Sequence, residues 1–272
     1  METFDRAAAL RKISIDGLAI DETGQPHAPA PGGKDSAEGG AVAWASLHRA
    51  IELAQSGEVQ GIVTAPLSKK SLHLAGHPEN GHTEILARCC GVDTYALMLY
   101  SPKIRCGFVT CHTAFQEITL GLTIQRVVEV TELMHHALFR IDGSPPRLCL
   151  PALNPHAGEG GIFGSEEEEV LEPAISEAKS RGIKIEGPVP SDTAFTPGAL
   201  EKYDGYVCLY HDQGGIPFKM LSFDAGVNVT LGLPIIRTSV CHGTAYDIAW
   251  SGRASNASML EAAELALLLA ER

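Results

Sequence analysis

Residues 206–215 read Tyr206-Val-Cys-Leu-Tyr210 followed by His211-Asp-Gln-Gly-Gly215, an apolar run that breaks at once into polar and flexible residues. A short apolar run bounded in this way is a buried strand that ends in a loop. Gly61–Ala65, Tyr95–Tyr100, Cys106–Thr110 and Arg147–Leu150 repeat the pattern, with helix-periodic stretches between them. Short strands alternating with helices predict an α/β fold with a largely parallel sheet. Beyond Gly215, the residues Lys219, Asn228 and Arg237 stand in mostly apolar sequence and lead to His242-Gly-Thr-Ala-Tyr-Asp247. Isolated cations among Val, Leu and Ile are costly to bury unless an anion pairs with them. Carboxylates elsewhere in the chain could supply that pairing, and so could a bound phosphate.

The chain has 272 residues, 44% of them hydrophobic, enough to build one large core or two ordinary ones. Its net charge of -12 argues against nucleic acid or an anionic membrane as the partner, while leaving room for a local basic pocket that takes a small anion. Seven cysteines, odd in number and without a CxxC pair, read as reduced thiols in a cytoplasmic protein. The start, Met1-Glu-Thr-Phe-Asp-Arg, lacks the pattern of a targeting peptide, and no run reaches the roughly 20 apolar residues of a membrane span.

Taken in order, residues 21–40 read as a loop leading to Ser36, the expected cap of a helix from about Ala41 to Ser56. Pro66 closes the strand at Gly61, the basic turn Ser68-Lys69-Lys70 follows, and the loop His77–Gly81 feeds a helix that begins at His82-Thr83-Glu84. An amphipathic helix is expected over Ile124–Phe139, with His135 and His136 at its solvated end and without a metal role. The acidic run Glu166–Glu169 opens a helix to about Arg181 and reads as a solvated face. Asn256 is the expected cap of a final helix, Met259–Leu269, whose Ala and Leu content demands a core or an interface.

Three histidines, His112, His156 and His211, each come just after a strand-like run. Ligands of open α/β sheets gather at the carboxyl ends of strands, so the three could form one site for a divalent ion. Any one of them alone is more often a hydrogen-bonded loop residue, and it is their shared position that raises the joint case. Asp192 and Asp212 could orient such histidines through the second ring nitrogen, and Asp192 could instead cap the turn after Pro190. The glycines at 158, 160 and 161 match neither the dinucleotide fingerprint nor a phosphate loop.

Gly81-His-Thr-Glu84, Leu153-Asn-Pro-His-Ala-Gly-Glu-Gly-Gly161, Tyr210-His-Asp-Gln-Gly214 and Leu231-Gly-Leu-Pro-Ile-Ile-Arg-Thr-Ser239 occur in one order. In these motifs the chain, from about Ser36 to its end, resembles the 4-hydroxythreonine-4-phosphate dehydrogenase family of pyridoxal phosphate biosynthesis. The resemblance implies a two-lobed α/β/α fold with largely parallel sheets, like that of isocitrate and isopropylmalate dehydrogenases, formed by residues 1–272 as one unit with lobes of discontinuous segments. It also implies a homodimer with a shared active site. Carried over by residue, the metal ligands fall on His112, His156 and His211, and the substrate contacts on His82, Thr83, Lys219, Asn228 and Arg237. Supporting catalytic aspartates fall on Asp192 and Asp212, and the cofactor loop on His242, Gly243 and Asp247.

The expected cofactors are NAD and a divalent metal, Zn first and Mg or Co next, and the expected reaction is oxidation with decarboxylation of 4-phosphooxy-L-threonine to an amino-ketone phosphate. Rival readings are a dehydrogenase for a four-carbon sugar-acid phosphate or a cis-dihydrodiol, an acyl-phosphate transferase on a related fold, and a non-catalytic, metal-stabilised binding protein. The family's usual opening strand and Thr-x-Gly-Asp-Pro-x-Gly-Ile-Gly loop do not occur here. Cys241 stands where that family commonly has Asp, and Trp250 where it commonly has Gly.

Overall fold

The structure is a computed structural model that describes residues 32–79 and 81–272. Residues 21–31 of the expected loop, the start of the chain and Asn80 lie outside the described residues.

Eight strands form one continuous sheet: β1 (Gly61–Thr64), β2 (Ala96–Tyr100), β3 (Arg105–Phe108), β4 (Arg147–Pro151), β5 (Lys184–Val189), β6 (Gly205–Cys208), β7 (Val227–Leu231) and β8 (Ile236–Val240), in the spatial order β1-β8-β7-β2-β3-β6-β4-β5. Parallel pairing joins β1 to β8, β3 to β6, β6 to β4 and β4 to β5. Around β2 and β7 the pairing is antiparallel. Connection length explains the exception. Only residues 101–104 separate β2 from β3 and only 232–235 separate β7 from β8, too few for the crossover that a parallel pair needs.

The helices packed around the sheet include α1 (Ala37–Gln55), α2 (Lys69–Leu74), α3 (His82–Cys90), α4 (Ile124–Asp142), α5 (Glu172–Ser180), α6 (His211–Ser222) and α7 (Ala257–Ala270), with further short helices, among them Pro197–Lys202, between them. Side chains alternate along each strand, so β6 sends Val207 into the core under α4, α5 and α7, and Tyr206 and Cys208 into the core under α6. A third apolar cluster joins Leu47 and Ile51 of α1, Leu72 of α2 and Ile85 and Leu86 of α3 to Ile62 of β1. Gly107 lets α4 lie close on β3, because a Cβ there would come within 2.5 Å of Met134 Sδ.

Several boundaries differ from the sequence reading. Helix α1 begins at Ala37, because the Ser36 side chain caps it by accepting from the Gly39 amide. Helix α4 runs on to Asp142, since Leu138 and Ile141 continue its buried stripe, and His135 and His136 therefore lie within it. Asn256 makes no side-chain cap bond to α7. Helix α7 packs one stripe, Ala262, Leu265 and Leu269, against the sheet and leaves Leu267 exposed. The acidic run is not a uniformly solvated face: Glu167 is 2% exposed, in a π-helical turn, Glu167–Leu171, that precedes α5.

Candidate active site

A cleft of about 680 Å³ opens beside α6, lined by residues that follow β3 and β6 and by residues of β7 and β8. Its floor is Arg237 of β8, buried to 2% exposure. The guanidinium donates from Nη1 to Asn228 Oδ1 at 3.2 Å and Thr230 Oγ1 at 3.0 Å, and from Nη2 to Thr64 Oγ1 at 2.8 Å. Among the described residues its Nε has no partner. All three acceptors are neutral, so the charge is positioned without being cancelled. Burial pushes the Arg237 pKa down to about 10, which leaves it cationic at neutral pH.

His82 and Thr83, on the first turn of α3, face the same space as Lys219 from the last turn of α6 and Asn228 from β7. All five residues expected to contact substrate therefore line one cleft. His82 is held neutral: burial first, then the Arg237 charge, lower its pKa to about 3. Lys69, Arg126 and Glu84 also line this cleft, and the sequence reading gave them no role. Arg126 is fixed by donating to Tyr95 O at 2.7 Å and Val109 O at 3.3 Å. Lys69, Arg126, Lys219 and Arg237 face a single lining carboxylate, Glu84, so the cleft is positive in a chain of net charge -12. Cys241 lines it too, its thiol pushed up to about 12 by burial against the opposing pull of Lys219 and Arg237.

The histidine edge adjoins this pocket. His112 follows β3 and His211 opens α6 after β6; because these strands pair in parallel, with Phe108 opposite Cys208, both imidazoles emerge on one side. Their ring centroids are 5.9 Å apart, and Phe108 stacks beside His211 at 5.8 Å. Burial, then the charges of Lys69 and His211, lowers the His112 pKa and favours a neutral, ligating ring. Asp212 Oδ1 lies 2.7 Å from His211 Nδ1, an arrangement that fixes the ring and leaves Nε2 for a metal.

His156 emerges after β4 but its ring lies against Phe163, 6.1 Å away, outside the cleft lining. Its φ of 54° begins a left-handed turn that continues through Ala157 at 54° and Glu159 at 44°. Each such residue costs roughly 1 kcal/mol or more unless the surroundings hold it. Among the described residues no three His, Cys, Asp or Glu side chains converge closely enough to hold a metal ion. Two oriented nitrogen donors therefore face each other here, a pair whose chemistry fits part of the ligand set of a divalent ion.

Of the other expected site residues, His242 and Gly243 line the cleft, with His242 Nδ1 3.0 Å from Gly243 O, while Asp247 is exposed on a turn outside it. Asp192 is exposed on the turn Ser191–Ala194. Its neighbour Ser191 does the linking there, donating to Ala152 O at 2.7 Å and accepting from Gln213 Nε2 at 3.0 Å.

Comparison with known proteins bears on this geometry. The family described as pyridoxal phosphate biosynthetic protein PdxA matches residues 2–266. The chain is 46% identical over 271 residues to D-threonate 4-phosphate dehydrogenase of Salmonella typhimurium, covering 99% of this chain and 83% of the relative. It is also 46% identical over 231 residues to 4-hydroxythreonine-4-phosphate dehydrogenase of Geobacter metallireducens, covering 84% and 68%. The crystal structure of 4-hydroxythreonine-4-phosphate dehydrogenase from Klebsiella pneumoniae superposes with a TM-score of 0.79 at 42% identity, over 88% of this chain and 73% of that one. The chain belongs to the PdxA family and is an oxidoreductase acting on a CH–OH group.

Proposed function

We propose that the protein oxidises the secondary alcohol of a four-carbon acid phosphate, 4-phosphooxy-L-threonine, with NAD⁺ as acceptor and with loss of CO₂, giving an amino-ketone phosphate. The observation that carries this reading is Arg237, a buried cation bonded only to neutral groups at the floor of a positive cleft. A phosphate or carboxylate is the partner such a forked donor suits. His82, Thr83, Asn228 and Lys219 surround the same end of the ligand. His242 and Gly243 form the wall on which the nicotinamide nucleotide would lie.

When bound, a divalent ion, Zn²⁺ first and Mg²⁺ or Co²⁺ next, would act as a Lewis acid at the alcohol oxygen, with NAD⁺ as hydride acceptor. His211, with Asp212 behind it, and His112 are the residues of this chain that would hold the ion in the cleft. Asp212 is exposed enough to pass the alcohol proton to solvent through a water. A second copy of the chain would supply the third imidazole, making a homodimer with shared sites. Large apolar side chains left exposed on the chain, Phe115, Leu120, Ile162, Met220 and Phe223, support that assembly. All seven cysteines are free thiols, which supports a cytoplasmic setting. No helix among the described residues is long and apolar enough to cross a membrane.

D-threonate 4-phosphate is the second reading. Among the described residues Glu84 is the single carboxylate lining the cleft, so an amino-acid ammonium has one anionic partner there, whereas a hydroxyl at that carbon needs none. NADH formation measured with both phosphates, a cis-dihydrodiol and an acyl phosphate, each with and without chelator, tests the proposal. Chelator-sensitive NADH from 4-phosphooxy-L-threonine supports it. Turnover of D-threonate 4-phosphate alone selects the second reading, and no turnover of either phosphate removes both.

A further inference from the structure

The turn that carries His156 is anchored by a carboxylate that the acidic composition of its own segment conceals. Glu167 Oε1 accepts from the Leu153 amide at 2.9 Å and from the Asn154 amide at 2.7 Å, and Oε2 accepts from Asn154 Nδ2 at 2.8 Å. Asn154 Nδ2 also donates to Glu166 Oε2 at 2.7 Å. The chain then folds over the same group: a Cβ on Gly158 would lie 3.0 Å from Glu167 Oε2, and Gly158 has a φ of 76°. The Phe163 amide donates to Gly158 O at 3.1 Å and closes the loop.

A hydrogen-bonded carboxylate at 2% exposure, reaching back to the two residues that end the β4 connection, sets the direction in which the chain leaves the sheet. Along that direction the chain enters the left-handed run through His156, Ala157 and Glu159, and the imidazole lies outside its own chain's cleft. The π-helical turn at Glu167–Leu171 is the local distortion that accompanies Glu167 at this depth.

We propose that Glu167 is a positioning residue for His156: it acts through Asn154 to hold the imidazole where it can serve as a metal ligand in the assembled protein. This rests on the reading of His156 as a ligand, and the variants below separate failure of the one from failure of the other. Glu167→Gln keeps an oxygen for the two backbone amides but sets an amide N–H₂ against Asn154 Nδ2, so the disturbance falls next to His156. Asn154→Ser is the companion variant, which loses the Nδ2 bonds and leaves both Glu167 Oε1 bonds in place.

The test is Co²⁺ titration of the metal-free full-length protein, read by the visible absorption of bound Co²⁺, with thermal unfolding of each metal-free variant as the folding control. His156→Ala should weaken Co²⁺ binding and change the spectrum. Glu167→Gln and Asn154→Ser, with melting temperatures that show a folded chain, should weaken binding by about 10- to 100-fold, the range typical of groups that orient metal ligands. If Glu167→Gln does not fold, Asn154→Ser carries the test alone. Wild-type Co²⁺ affinity and spectrum in the folded variants, with His156→Ala still defective, overturns the positioning role and leaves the ligand standing. Wild-type behaviour in His156→Ala overturns both.

Discussion

The Arg237 pocket and the histidine edge lie side by side in one cleft, yet they are built on opposite terms. Around Arg237, three neutral acceptors, Thr64 on β1 and Asn228 and Thr230 on β7, hold the guanidinium fixed before any ligand arrives. At the histidine edge, His112 and His211 face each other at 5.9 Å while His156 packs against Phe163 outside the cleft. A pocket complete within one chain serves recognition at any concentration. On the proposed reading, an edge that holds two of three imidazoles would make chemistry conditional on assembly.

The largest effects should come from the incomplete edge. Each of His112→Ala, His156→Ala and His211→Ala is expected to abolish dehydrogenase turnover and lower bound divalent metal, whereas His135→Ala and His136→Ala do neither. Turnover assays with metal analysis of the purified variants check this, and metal retained in full after all three substitutions together would place the site elsewhere. Mixing the inactive variants in pairs sharpens the same contrast. In a heterodimer whose lesions lie on opposite sides of a shared site, one site collects both and the other is intact, so activity should rise from nothing to about half of wild type per heterodimer. If heterodimers are shown to form and no pairing recovers activity, both regions are complete within one chain and the contrast is gone.

Next in size is the pocket itself. Arg237→Ala and Lys219→Ala should each raise the KM for the phosphorylated substrate far more than that for NAD⁺. Loss of one charge-assisted contact costs about 1.5 to 3 kcal/mol, or about 10- to 150-fold in binding. Equal changes in both KM values would show that these residues do not form a phosphate pocket.

The two regions were also unequally legible in the sequence. Lys219, Asn228 and Arg237 stood out because charged and strongly polar side chains are rare in apolar sequence, and all three line the cleft. Their neutral anchors Thr64 and Thr230 did not, since a threonine in a strand carries no mark of the partner that crosses from another strand. The strand-end position of the histidines was readable from the apolar runs before them; the departure of His156 was not. It depends on Glu167, and a run of four glutamates reads as solvated unless the amide donors that bury one of them are seen. The mostly parallel sheet followed from strand–helix alternation, while the antiparallel β2 and β7 lay in connection lengths rather than in residue types.

The smallest predicted effect tests whether the pocket is preorganised, through His82. Burial and the Arg237 charge hold its pKa at about 3 in the folded chain, against 6.5 for an ordinary histidine. Below pH 6.5 the unfolded chain therefore takes up a proton at this position and the folded chain does not, so the contribution of His82 to stability is lost as the pH falls from about 6.5 toward 3 and is flat above that range. Between pH 7.5 and 5.5 the loss should be about 1 kcal/mol. Urea unfolding at the two pH values, compared between wild type and His82→Gln, isolates this share from that of His112 and His135, whose pKa values are also lowered by burial. The His82→Gln variant should show the smaller pH dependence. Inorganic phosphate should narrow the difference, because an anion beside Arg237 offsets the charge that opposes protonation of His82. An unchanged slope in the variant would mean that His82 is solvated in the free protein and that the pocket closes only when ligand binds.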